Sequence, residues 1–231
     1  MQKAALAACA LSWLGGVHAA GSVCPSTAGA DPRPTFDAAL LKEGRFVYRT
    51  TLRGESLGET TLEIRRDGAN YRISMSAPEV GQSWQATVAR SFAPIQASLS
   101  MRGRKGPYRM ELRYAGDSVT GEEQDAGVTR PVDARVAGVT LDQRVDWAAM
   151  MAAQAPDRGS FALRVFDPST GSSAMLGRVG GDASTLRLDY SICKREHLEE
   201  YTVHATRETP RTMLREDMPN GLVSELIRAE P

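Results

Sequence analysis

Histidine and cysteine are nearly absent from this chain, with three of each among 231 residues, and that shortage removes most metal and thiol chemistry at the outset. A zinc site needs three or four converging ligands. Here His18 falls in the N-terminal leader, and His197 and His204 lie across a turn from one another. No HExxH and no CxxC pair occurs. Walker-type and GxGxxG loops are missing too, so no phosphate-cradling motif is present. The sequence implies no metal and no cofactor. An excess of positive charge is also lacking, because 28 basic residues balance 28 acidic ones. A nucleic-acid surface needs surplus cations to displace counterions, so nucleic acid is not an expected partner. Arginine heavily outnumbers lysine, which reads as genomic composition. After the leader, no segment is apolar enough to cross a bilayer.

What is present begins with that leader. MQKAALAACALSWLGGVHAAGS has a positive residue at Lys3, an apolar run from Ala4 to Val17, and a Val17-His18-Ala19 cleavage pattern. This is the anatomy of a secretory signal peptide, and the run is short of the roughly 20 residues that a spanning helix needs. Residues 1–19 are expected to be removed. The competing reading is lipidation at Cys24, but Gly21-Ser22-Val23 lacks the Leu-small-small run of bacterial lipoproteins. Cleavage leaves two cysteines, Cys24 and Cys193, in an oxidising compartment, where a disulfide between them is expected. Two separate thiols are the alternative, since Cys24 sits in a Ser-, Ala-, Gly- and Pro-rich stretch, residues 20–35, that reads as a disordered lead-in.

Period-two alternation then marks half-buried strands. RFVYRTTLR places Phe46, Tyr48, Thr50 and Leu52 on one face; NYRISMS does the same with Tyr71, Ile73 and Met75. GESLG and DGAN supply glycine and Asp/Asn for tight hairpin turns. The pattern continues through SWQATVARS, IQASLSMR and YRMELRYAG, and GDSVTGEEQDAG reads as a short strand followed by an exposed acidic loop. One segment breaks the rhythm. TLDQRVDWAAMMAAQA spaces Leu141, Val145, Ala148 and Ala152 at helical intervals, with Thr140 and Gln143 in capping-box positions, so a helix is expected up to Pro156. Strands resume from SFALRVFD to GLVSELIRA. Residues 36–229 therefore read as one mainly β domain. About a dozen strands would curl, giving a strongly curved antiparallel sheet or open barrel with the helix on its concave face.

Concentrated chemistry is confined to YSICKREHLEEYTVHA. Alternation makes it two strands joined by KREHLE, and His204 a sheet-surface residue. The pairs Glu122/Glu123 and Glu199/Glu200 could in principle serve a glycosidase, but adjacent acids on a strand face opposite sides. Two sets remain. Arg207, Arg211 and Arg215 could form a rim that forks to a carboxylate or phosphate; the plain alternative is salt-bridged strand surface. Trp84, Trp147, Met150 and Met151 are core residues, or the lining of an apolar pocket if the curved sheet is incompletely filled.

FVYRTTLRGESLGETTLEIRRDGANYRISM and the closing PRTMLREDMPNGLVSELI, together with the leader, resemble an uncharacterised family of exported Gram-negative proteins, the DUF3108 type of domain of unknown function. The resemblance spans about Phe36 to Ile227 and carries no catalytic residues. It implies a half-barrel similar to periplasmic lipoprotein carriers, whose concave face shelters acyl chains beneath a helix. The expected function is thus periplasmic and non-enzymatic: binding or chaperoning an apolar envelope ligand, a lipid or acylated molecule, with Phe46, Tyr48, Tyr71, Trp84, Trp147 and Met151 as lining. An interaction module that docks on an envelope protein partner without a cavity, and a glycan hydrolase, are the alternatives.

Overall fold

The computed structural model describes residues 34–230 apart from 104–105, 139, 155–158 and 195–196. The expected signal peptide, Cys24 and most of the lead-in lie outside the described residues. Thr35 does not belong to that lead-in: it opens the two-residue strand β1 (Thr35–Phe36).

Alternation becomes an antiparallel meander: β2 (Gly44–Leu52), β3 (Glu55–Asp67), β4 (Asn70–Ala77), β5 (Gln82–Ala89), β6 (Pro94–Arg102), β7 (Pro107–Ala115), β8 (Ser118–Asp125) and β9 (Val128–Arg135). The β2–β3 turn sits at Arg53-Gly54, so of GESLG only its first glycine is in the turn and the rest opens β3. Both turn residues have positive φ, 51° and 85°, the requirement of the two-residue hairpin turn whose twist matches its strands. GDSVTGEEQDAG is a strand to Asp125, not a loop. Only Val119 of this strand is buried, so it is a mostly solvated ribbon without a regular apolar alternation, and the VTRPVDAR strand after it is so polar that alternation does not reveal it.

The next segment corrects the helix. Thr140–Asp142 forms β10, and α1 is only Asp146–Ala152, followed by β11 (Ala153–Gln154). Thr140 donates its hydroxyl to Ala137 O rather than capping; Asp142 instead accepts the N–H of Arg144 at the head of a 3-10 turn. β10 is wholly buried and pairs in parallel with β12 (Ser160–Asp167), an exception to the expected antiparallel order. β13 (Gly171–Gly181), β14 (Thr185–Lys194), β15 (His197–Thr206), β16 (Met213–Met218) and β17 (Leu222–Glu230) complete the chain. His197 pairs with Lys194, so most of KREHLE is strand rather than connection.

Fifteen strands form one sheet in the order β10-β12-β13-β14-β15-β16-β17-β2-β3-β4-β5-β6-β7-β8-β9, and β1 pairs with β11 separately. The first and last long strands, β2 and β17, therefore meet mid-sheet, and β10 and β9 are its ends. One face of the sheet and α1 from Trp147 to Ala152 contribute to a continuous apolar core. α1 is tied at its C-terminal end, where the Asp37 N–H donates to Ala152 O and the Arg211 guanidinium to Met151 O and Ala153 O. These bonds satisfy carbonyls that a helix end leaves without partners.

Candidate functional site

An open groove of about 600 Å³ crosses β3 to β7. Strand register orders its lining into two rows. Glu63, Ser74, Gln85, Ser98 and Glu111 stand opposite one another in turn, as do Thr61, Ser76, Ser83, Ser100 and Arg109. Residues two apart on a strand share a face, so both rows lie on one side of the sheet. Ser76, Ser83, Ser100, Arg109 and Glu111 are exposed. Between the rows run Leu62, Met75, Trp84, Leu99 and Met110, which belong to the core or pack against it. Met110, which also borders the groove, is only 1 % exposed. The groove is therefore on the face turned away from the core. Serines make a low floor, and Glu63, which pairs with Arg65, and Glu111 with Arg109 stand at the ends. Strands spaced about 4.8 Å apart give a trough roughly 19 Å long.

Of the six residues expected to line an apolar site, only Trp84 touches this groove. Phe46, Tyr48, Tyr71, Trp147 and Met151 are core residues between 1 % and 6 % exposed. The three arginines do not form one rim. Arg207 donates to Asp182 O at 2.5 Å, Arg211 serves the end of α1, and Arg215 forks to Asp217 and reaches Glu225 at 2.5 Å. Cys193 lies on β14, half-buried; its expected partner, Cys24, is outside the described residues. His204 is a sheet-surface residue 3.7 Å from Asp217. No group of three or more ligating side chains that could hold a metal occurs among the described residues. GESLG has the spacing of a nucleophile elbow, but that device needs a strand-to-helix turn. Here it lies in β3, Ser56 is exposed, and its Oγ accepts the Gly58 N–H.

Two buried polar clusters were not legible as clusters in the sequence. In the first, Arg144 lies between Asp142 (2.6 Å) and Asp167 (3.1 Å), and Tyr114 donates to Asp142 at 2.5 Å. Burial opposes the Arg144 charge, but Asp142 and then Asp167 outweigh it and hold its pKa above the ordinary value. In the second, the Tyr190 hydroxyl stands 3.3 Å from Asp146 and 3.5 Å from Glu216. Tyr190 stacks on Tyr201 at 4.8 Å between centroids, and Tyr201 donates to Glu199, which pairs with Lys194. Burial pushes Asp146 up to about 7, against the pull of the Trp147 N–H and Lys194. Burial, then the Asp146 charge, pushes Glu216 up to about 8. Both carboxyls are at most 9 % exposed, so this cluster can hold a proton but presents no open surface to a substrate.

Among the described residues no helix is long and apolar enough to cross a membrane. No curated protein and no solved structure matches the chain significantly. A family model described as a protein of unknown function matches residues 47–204, from β2 to β15 and including both buried clusters except Glu216; the chain belongs to this family, DUF3108.

Proposed function

We propose that the protein is a non-enzymatic binding module of the bacterial cell envelope whose ligand is a hydroxyl-rich chain, a cell-wall or surface glycan, held in the outer groove. The lining of that groove carries the reading. Serine hydroxyls, the Gln85 amide, two carboxylates and a guanidinium offer donors and acceptors in the mixture that sugar hydroxyls complement. The volume of about 600 Å³ falls in the range of small-molecule sites. Met75, Trp84 and Leu99 also border the groove between the polar rows, but they belong to the core or pack against it, which leaves an acyl chain less to hold than a polar one. Export to the periplasm rests on the leader pattern of residues 1–19.

The finer shape belongs to the same proposal: the sheet curls into a strongly curved half-barrel around α1. Its support is that β7 and β12, far apart in sheet order, approach through Tyr114 and Phe166, edge to face at 6.4 Å. The apolar-ligand reading keeps one foothold, the half-buried Met75, Trp84 and Met101 packed at the border of the core. Its cost is that the interior is already occupied by Trp147, Met150 and Met151.

The test is NMR titration of mature protein with soluble peptidoglycan and surface-glycan fragments, beside native mass spectrometry of protein purified from the periplasm. Shifts are expected at the amides of Ser74, Ser83 and Ser98, weakened at least tenfold in an Arg109→Ala/Glu111→Ala variant. A co-purified lipid, with no glycan-induced shifts, would replace this reading by the acyl one.

A further inference from the structure

The Asp146–Tyr190–Glu216 cluster joins three elements: the first residue of α1, mid-strand β14, and β16. A phenol has one hydrogen to donate. Asp146 Oδ1 also accepts the Trp147 N–H at 2.6 Å, which favours its ionised form, and it stands nearer the phenol than Glu216 does, so Asp146 is the acceptor for Tyr190. The second carboxyl, Glu216, can bond the same phenolic oxygen only by bringing its own proton. The chain of bonds that fits the geometry runs from the Glu216 carboxyl to Tyr190 to the Asp146 carboxylate.

We infer that this relay is a protonation latch: a proton held on Glu216 seats α1 against the sheet, and its loss loosens the helix. Surrounding groups favour that division of roles. Lys194, the charge nearest in effect on Asp146, stabilises its ionised form, whereas Asp142 opposes it. Around Glu216 the charges of Asp146 and Asp217 are both negative, and Tyr48 spends its hydroxyl on Met213 O at 3.0 Å. Tyr201 is committed to Glu199, and Glu199 to Lys194. Among the described residues, therefore, no cation is set directly against Glu216. Ionising it places a second negative charge beside the start of α1 in a site that water does not reach, where such a charge is costly.

The sign follows from proton linkage. An acid whose folded-state pKa is raised contributes stability that is fully present below its unfolded pKa and lost as pH rises through the folded value. For Glu216 the window runs from the ordinary glutamate range up to about 8. Within it the unfolding constant should rise by up to about tenfold per pH unit for each proton retained only by the folded state.

The experiment follows urea unfolding and Trp147 fluorescence, in a Trp84→Phe background, from pH 5 to 9. The parent protein should lose stability and redden its emission towards pH 9. Glu216→Gln, which keeps a donor facing Tyr190, should flatten both profiles and hold α1 seated at pH 9. Identical profiles in parent and variant would overturn the latch. Should the variant fail to fold, infrared difference spectroscopy of the parent decides: a protonated-carboxyl band persisting at pH 7.5, above the Asp146 value of about 7 and below the Glu216 value of about 8, is expected, and its absence would overturn the proposal equally.

Discussion

At Arg144 a guanidinium whose side chain is 7 % exposed meets two aspartates at 0 % and 5 %. Three buried charges are tolerable here because the arginine supplies donors to both acids while Tyr114 adds a second donor to Asp142 Oδ2 and Ser169 bonds the other oxygen of Asp167. Removing one member leaves the others buried without compensation, which typically costs about 3–5 kcal/mol. Arg144→Ala should therefore lower unfolding stability by that amount in urea titration. Arg135→Ala breaks a pair whose side chains are 81 % and 64 % exposed, and it should change stability within experimental error, since water screens such pairs. Equal effects of the two substitutions would show that the buried cluster is not what pins β10 to its neighbours. The sequence marks Arg144 and Asp142 only as polar residues inside a helix-like pattern. Their burial follows from the parallel pairing of β10 with β12, a contact that no local spacing announces.

At the scale of elements, α1 packs closely because Ala148, Ala149 and Ala152 are small and because β13 gives way beneath it. A Cβ at Gly177 would stand 2.6 Å from the Phe161 ring and 2.9 Å from the Met150 methyl. Gly177→Ala should force both side chains aside, at about 1–3 kcal/mol for overpacking a filled core, and Met151→Trp should cost a similar amount. Thermal melts check both; a Met151→Trp protein as stable as its parent would reveal unfilled space above α1. Most of the sheet was legible in advance, because where one face is buried the alternation is plain, as in Tyr71, Ile73 and Met75. Alternation failed where both faces are wet, as in β9, and where both are buried, as in β10. The helix was overextended because Leu141 and Val145 have helical spacing, yet Leu141 serves a strand. The groove was invisible for another reason: its serines come from β4, β5 and β6, and each alone is an ordinary solvent-facing strand residue. Only the register of neighbouring strands makes them a surface.

The whole molecule depends on one seam. β2 to β9 form one meander and β12 to β17 another, and the pairing of β17 with β2 joins them into a single sheet. Eight residue pairs line that seam. Thr50 bonds Ser224 across it at 3.2 Å, and Tyr48 reaches over to Met213 O. Thr50 and Ser224 are 174 positions apart, so the seam closes only when both halves are present, a costly long-range step in folding. Deleting Leu222–Glu230 removes β17 and leaves β16 and β2 each with an unpaired row of backbone donors and acceptors. Such edges invite pairing with other chains, and the apolar side chains that meet at the seam would be uncovered with them. The truncated protein should lose its cooperative thermal transition and appear as aggregate in size-exclusion chromatography. By contrast, Val128→Lys alters an end strand at a residue already 55 % exposed and should leave the melt unchanged. A truncated protein that stays monomeric and melts like the parent would mean that the two meanders fold as independent units and that the seam merely brings them side by side.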